Sequence, residues 1–261
     1  MTIRRPASVI ASVAAAALMS ALPARAQLVG TGLGPDTLQG AAPYGNPVND
    51  TRVYVHGIFN QLEGRLGNGS YLRWEGQAWA GDDYNKLWLK SEGRYNVNRR
   101  GQVSDSDQEL LYDRPVSSYF DLQAGIRYDL DNLRGRTWAA LGIQGLAIGF
   151  WNVEATLYAS DNGHYALKTN ASYDLLLTQQ LILQPQFETN WYTKTDPGRR
   201  IGSGLSDIDM GLRLRYEINR KLAPYLGVAY QRTFSGTSSY TREDGGHVND
   251  LRFLVGVRAW F

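Results

Sequence analysis

The chain has 261 residues, 43% of them hydrophobic, with 27 Lys+Arg, 25 Asp+Glu, 16 Tyr, 7 Trp, 28 Gly and no Cys. A mean hydropathy of −0.37 is too polar for a bundle of membrane helices. The near balance of charge gives no footing for nucleic acid, and the lack of cysteine excludes a disulfide scaffold.

Residues 1–26, MTIRRPASVIASVAAAALMSALPARA, join a basic start (Arg4, Arg5) to an apolar middle and an Ala24-Arg25-Ala26 cleavage site. That is the plan of a secretory signal peptide, so the mature chain is expected to begin at Gln27. Loss of Arg4, Arg5 and Arg25 takes the 27 basic residues to 24 against 25 acidic, a net charge of −1, and leaves Met210 as the one methionine. Residues 27–50 are rich in Gly and Pro, lack periodicity and read as a flexible periplasmic tail.

From Thr51 onward apolar and polar residues alternate, segment after segment, which is the period of a strand with two unlike faces. LRWEGQAWA (72–80), LWLKSEGRY (87–95), FDLQAGIRYDL (120–130), LILQPQFETNW (181–191) and IDMGLRLRYEI (208–218) all carry it. Twelve strands are predicted, near 52–64, 70–80, 85–96, 106–114, 118–130, 136–147, 151–160, 164–176, 181–193, 206–218, 223–234 and 250–261. Most have the length a tilted strand needs to cross a bilayer. The connections GDDY (81–84), PVS (115–117), IGF (148–150), TQQL (178–181) and NRKL (219–222) are tight, whereas 97–105, 194–205 and 235–249 are long. Short periplasmic turns and long outer loops belong to outer-membrane barrels. The fold class is therefore all-β: a closed antiparallel transmembrane β-barrel over residues 51–261, about 12 strands, with 8 or 10 as the alternative counts.

Aromatics fall at both strand ends, as two interfacial belts require. Trp79, Tyr84, Tyr112, Tyr119, Trp151, Tyr225 and Trp260 mark one belt. Tyr95, Tyr128, Trp138, Tyr158, Tyr165, Trp191 and Tyr192 mark the other. Pro185 lies inside a predicted strand, where a barrel offers no free edge, so a bulge or an unpaired carbonyl is expected there. In DLRFLVGVRAWF (250–261) every second residue from Leu251 to Phe261 is apolar. That face resembles the signal by which the barrel assembly machinery of Gram-negative bacteria recognises its clients, with Phe261 as its last ring.

WEGQAWAGDDYNKLWLKSEG (74–93), DLQAGIRYDL (121–130), YDLLLTQQLILQP (173–185), GLRLRYEINRKLAPYLGVAY (211–230) and GVRAWF (256–261) resemble the copper resistance protein B family (CopB/PcoB-like). The resemblance implies an outer-membrane barrel in contact with lipid and tied to copper tolerance, beside a periplasmic multicopper oxidase and a copper carrier. Family members commonly carry a Met- and His-rich segment before the barrel, but residues 27–50 contain no Met, His or Cys. Any copper would then be bound by the barrel or by a partner; in the barrel the ligands would be oxygen and imidazole, which favour Cu(II) over Cu(I).

The inferred lumen face supplies Glu63, Glu75, Glu92, Asp121, Asp174, Glu188 and Glu217 as cation-path candidates, interleaved with basic residues such as Arg73, Lys90, Arg213 and Arg215. Two readings of that face stay open: a plug of ion pairs, or a conduit in which carboxylates attract cations. Asp82 and Asp83 stand at the periplasmic mouth, though acidic turns commonly serve the turn alone. Of His56, His164 and His247, His56 is the metal candidate, on a segment whose two faces are both apolar. Met210 shares a face with Leu212 and Leu214 and points to lipid. His164 is followed by Tyr165 and Ala166, so a barrel phospholipase's His and Ser two residues apart are missing, and the chain is read as no enzyme. Two functions follow: binding or passing copper across the outer membrane, or a small-solute pore or anchor for a periplasmic partner with no dedicated metal site.

Overall fold

The computed structural model describes residues 52–67, 69–96, 102–130 and 135–261. The expected signal peptide and the tail at 27–50 lie outside the described residues. Twelve long strands follow in order: β1 (Tyr54–Leu66), β2 (Tyr71–Gly81), β3 (Lys86–Asn96), β4 (Gln102–Pro115), β5 (Phe120–Asp129) and β6 (Arg136–Ala147). Then come β7 (Trp151–Ser160), β8 (Tyr165–Ser172, resumed at Leu175–Leu176), β9 (Leu181–Tyr192), β10 (Gly204–Tyr216) and β11 (Leu222–Thr233). A short helix, α1 (Ser235–Glu243), precedes β12 (Asn249–Trp260).

Each strand pairs antiparallel with its neighbours in sequence, and β12 returns to β1 with Leu62 opposite Val257 and Leu66 opposite Phe253. The sheet is closed, so no row of backbone donors is left at an edge. The alternation that defines the strands also sorts solvents. On β12 Leu251, Phe253 and Val255 are exposed, while Arg252 and Leu254 between them are buried. Leu87, Leu89, Leu110, Ile126, Leu141, Leu157 and Leu226 repeat that outward exposure around the wall. In water such an exterior would lose about 25 cal/mol for every Å² left wet; in hydrocarbon it is matched to its surroundings. The arginines and carboxylates turn inward. Apolar outside, charged inside and closed, the sheet is an outer-membrane β-barrel. It is expected to partition with outer membranes and to migrate as a compact species in SDS until heated. Recovery as a soluble monomer would contradict this architecture.

Met210 points outward as expected, beside Leu212. Other expectations need correction. The 235–249 connection is not simply a loop: Ser235–Glu243 forms α1, which buries none of its residues. The first strand runs two residues further than expected, to Leu66, which brings Arg65 into the wall. The aromatic belts are thinner than expected. Trp138, Tyr158 and Tyr225 are buried in the lumen, and Trp79 and Trp260 face inward too. Height along a strand brings a ring to the interface, but the two-residue period decides whether it meets lipid. Tyr112, Tyr119 and Trp151 at one end, and Tyr128, Tyr165 and Trp191 at the other, remain exposed outside.

Pro185 keeps its register with Leu212 on β10. Its other side faces the interruption of β8 at Tyr173 and Asp174, so the missing N–H falls where the neighbouring strand is itself broken. The carbonyl is not orphaned: the Tyr173 amide donates to it at 3.1 Å. The irregularity expected of the proline is thus absorbed by β8.

Candidate functional site

The lumen is built from the polar face of every strand. Its densest part joins β1, β2, β9, β10 and β11. Glu63 is fully buried and accepts hydrogen bonds from Arg65 Nε at 2.8 Å, Arg213 Nε at 3.0 Å and Tyr225 Oη at 3.0 Å. Asp209 takes Arg65 at 2.5 Å and Arg73 at 3.0 Å, and Arg73 reaches on to Glu188 at 2.7 Å. These contacts tie residues more than a hundred positions apart into one net across the barrel. Buried charges persist only when paired in this way, because each ion alone would carry a desolvation cost of several kcal/mol.

A second set lies on β3 to β8. Lys168 pairs with Glu92 and stands 3.8 Å from Glu188. Arg127 holds Asp107 at 2.7 Å and Asp129 at 2.8 Å. Lys90 reaches Glu154 at 2.7 Å and Gln123 at 2.9 Å. Between these groups a cavity of about 50 Å³ is lined by Glu75, Glu92, Asp107, Glu109 and Glu154, with Lys90, Lys168 and Tyr158 on its walls. That is room for one or two waters. Glu109 is engaged by the Tyr158 hydroxyl at 2.6 Å. Glu75 is different. It sits directly across from Glu92 in the β2–β3 ladder, and Asn60 donates to its Oε1 at 3.2 Å. Its Oε2 is buried and has no hydrogen-bond partner among the described residues.

The other candidates are placed less centrally. Asp174 sits where β8 breaks and accepts from Arg215 at 3.0 Å and from Gln184 at 2.8 Å; Glu217 stands 3.7 Å from Arg215. Asp121 lies 3.6 Å from Lys86. Asp82 serves its own turn: it accepts from the amides of Asn85 at 2.6 Å and Tyr84 at 2.9 Å, and those bonds hold its carboxyl below the usual carboxylate range. Asp83 is exposed. His56 points into the lumen, because a bulge between Phe59 and Gln61 shifts the two faces of β1 against each other. Among the described residues no three His, Cys, Asp or Glu side chains form a metal-holding group.

Several lumen groups escaped the sequence reading. Arg65 lay beyond the expected end of the first strand. Asp107, Glu109 and Asp113 share a face of β4 with buried Leu111, which masks the alternation. Reading Leu110 and Tyr112 as the outward pair would have exposed them.

At the outer end the β9–β10 connection folds across the mouth. Arg199 donates to Asp129 at 3.0 Å and Arg136 to Asp196 at 2.6 Å, while Arg200 forks onto Asp244 at 2.7 and 3.0 Å beyond the end of α1. Partial burial acts to raise the Asp196 pKa, but the Arg136 hydrogen bond and charge outweigh it and hold the carboxyl below its ordinary value. A depressed folded-state pKa contributes stability above the unfolded value of about 3.9 and loses it as pH falls through the folded one. Amide protection in residues 193–203, taken relative to intrinsic exchange at each pH, is therefore expected to be high at neutral pH and to fall only below about pH 4. Exchange that is already fast at neutral pH would show that the Arg136 pair does not hold this loop.

Comparison with known proteins places the molecule. The family model described as "Copper resistance protein B precursor (CopB)" matches residues 53–261. The chain belongs to the copper resistance protein B family. The copper resistance protein B homolog of Pseudomonas syringae pv. tomato is 43% identical over 218 residues, covering 83% of this chain and 73% of that protein. Copper resistance protein B of Escherichia coli is 39% identical over 218 residues, with the same coverage of each. Among solved structures, the KdgM porin matches with a TM-score of 0.47 at 14% identity, over 79% of this chain and 99% of that one.

Proposed function

We propose that this barrel passes copper ions across the outer membrane through its carboxylate-lined interior. The observation that supports this is the cavity at mid-barrel with Glu75 on its wall. Among the described residues two buried carboxylate oxygens lack a hydrogen-bond partner, Glu75 Oε2 and Asp113 Oδ1; Asp113 has Lys86 at 3.8 Å, whereas Glu75 has no ion-pair partner and lines the cavity. Leaving it so costs free energy, which a passing cation would offset. Oxygen ligands favour Cu(II), and the ions would be exchanged on the periplasmic side with a multicopper oxidase and a copper carrier. A second reading has its own support: the ion pairs around Glu63 and Asp209 are those of a filled barrel, suited to an anchor or a narrow small-solute pore.

Equilibrium titration of the purified barrel separates the readings. Weak Cu(II) binding, unchanged by deleting residues 27–50 and lost with Glu75, Glu92 and Glu188 all changed to Gln, is the expected result. Tight Cu(I) binding that disappears with the tail would overturn it. The absence of copper binding of either kind would favour the anchor or pore.

A further inference from the structure

Four rings stand on four adjacent strands at the periplasmic end of the lumen: Trp260 on β12, His56 on β1, Trp79 on β2 and Trp88 on β3. His56 and Trp79 are cross-strand partners, as are Trp79 and Trp88. The imidazole lies 5.2 Å from the Trp260 ring at an interplanar angle of 82°, and 6.0 Å from Trp79. None of the four is fully buried: Trp88 packs against the cluster around Leu111, whereas His56, Trp79 and Trp260, the last 42% exposed, are left partly open. Among the described residues nothing hydrogen-bonds the imidazole, and Trp88 Nε1 is buried without a partner.

Three protein cations already sample these rings, one of them Lys90, whose Nζ is 5.8 Å over Trp88. Lys86 Nζ stands 6.0 Å over Trp79, and Arg258 Cζ 5.5 Å over Trp260. Both are loosely held elsewhere: Lys86 by Asp121 at 3.6 Å and Asp113 at 3.8 Å, Arg258 by Asp174 at 3.9 Å. The indole faces are thus electron-rich surfaces in use, next to an imidazole that none of the described residues hydrogen-bonds.

We propose that His56, with the indole faces of Trp260 and Trp79, forms a contact site for a soft monovalent cation, Cu(I), at the periplasmic mouth. The inference rests on the copper-passage reading for copper as the metal only; the barrel changes no oxidation state, and this site takes copper that is presented to the mouth as Cu(I). Carboxylates bind hard cations; an imidazole nitrogen takes copper in either oxidation state, and the polarisable π faces beside it tip the choice to the soft ion. Trp is the strongest of the aromatic side chains in this role. Lys86 is the competitor: when the ion arrives, its ammonium withdraws to Asp121 and Asp113, whose charges it then neutralises. The barrel would thus offer oxygen ligands at its middle and a nitrogen–π site at its inner end.

Silver(I), a soft ion that does not change oxidation state under these conditions, is the probe. The intact detergent-solubilised barrel is titrated, with bound silver counted by equilibrium dialysis and tryptophan emission followed in parallel. The native protein is expected to bind with quenched emission. His56→Ala should weaken binding about tenfold or more, and Trp260→Leu about three- to tenfold, the span expected of a cation–π contact. Trp260→Phe, which keeps a ring, should lose less, and Lys86→Leu, which removes the competing ammonium without adding a ligand, should tighten binding. Heat-modifiable migration shows that each variant has assembled. No silver binding by the native barrel, or undiminished binding by assembled His56→Ala, would overturn the site. Failure of copper flux in vesicles with silver binding at His56 intact would remove the passage reading and leave the site standing.

Discussion

Changing Glu63 to Gln is expected to destabilise the barrel by about 3–5 kcal/mol, the usual consequence of breaking a buried charge network from one side. Arg65, Arg213 and Tyr225 all converge on this carboxylate, and both arginines are buried. Gln keeps the volume and one acceptor but removes the charge, and it adds two donors facing existing donors. Arg65 keeps Asp209 and Arg213 keeps Gln186, so the loss is partial rather than total. The temperature at which the SDS-resistant form unfolds should drop clearly below that of the native barrel. An unchanged transition would mean that the net around Glu63 is wet and contributes little.

Glu75→Gln is expected to do the reverse. Among the described residues no Lys or Arg lies within ion-pair distance of this carboxylate, so neutralising it strands no cation. Gln can still accept the hydrogen bond from Asn60. Assembly and thermal stability should therefore stay near native. Copper handling should fall, because a carboxylate about 4 Å from a cation contributes several kcal/mol even at an effective dielectric of 20. About a tenfold loss of flux is a conservative expectation once hydration is restored in part. The two glutamates, both on the inward face and both candidates from the alternation, are thus assigned opposite roles.

How much of this was legible in the sequence follows from the reach of each signal. Alternation is local, so the strands, their order and the inward sign of Glu75, Glu92, Glu188 and Arg73 were readable directly. The direction of His56 was not. It depends on a one-residue bulge near Asn60 that reverses the face upstream, and no turn residue announces it. Pro185 announced an irregularity, yet not that β8 would take it up at Tyr173. The helix Ser235–Glu243 has no apolar stripe to betray it, because it buries none of its residues. What separates Glu63 from Glu75 is beyond any local pattern. Arg213 lies 150 residues from Glu63, and only closure of the sheet brings them within 3.0 Å. Pairing across a barrel is set by the strand register as a whole, which single-strand periodicity does not specify.

Copper flux into sealed vesicles tests the central claim most directly. Purified barrel is reconstituted with a copper-sensitive dye trapped inside, and Cu(II) is added outside to native protein, Glu75→Gln and protein-free vesicles. The account predicts flux through the native barrel above the protein-free leak, and a reduction of about tenfold in Glu75→Gln at equal amounts of assembled protein. Native flux no greater than the leak, or equal flux through native and Glu75→Gln barrels, would contradict it.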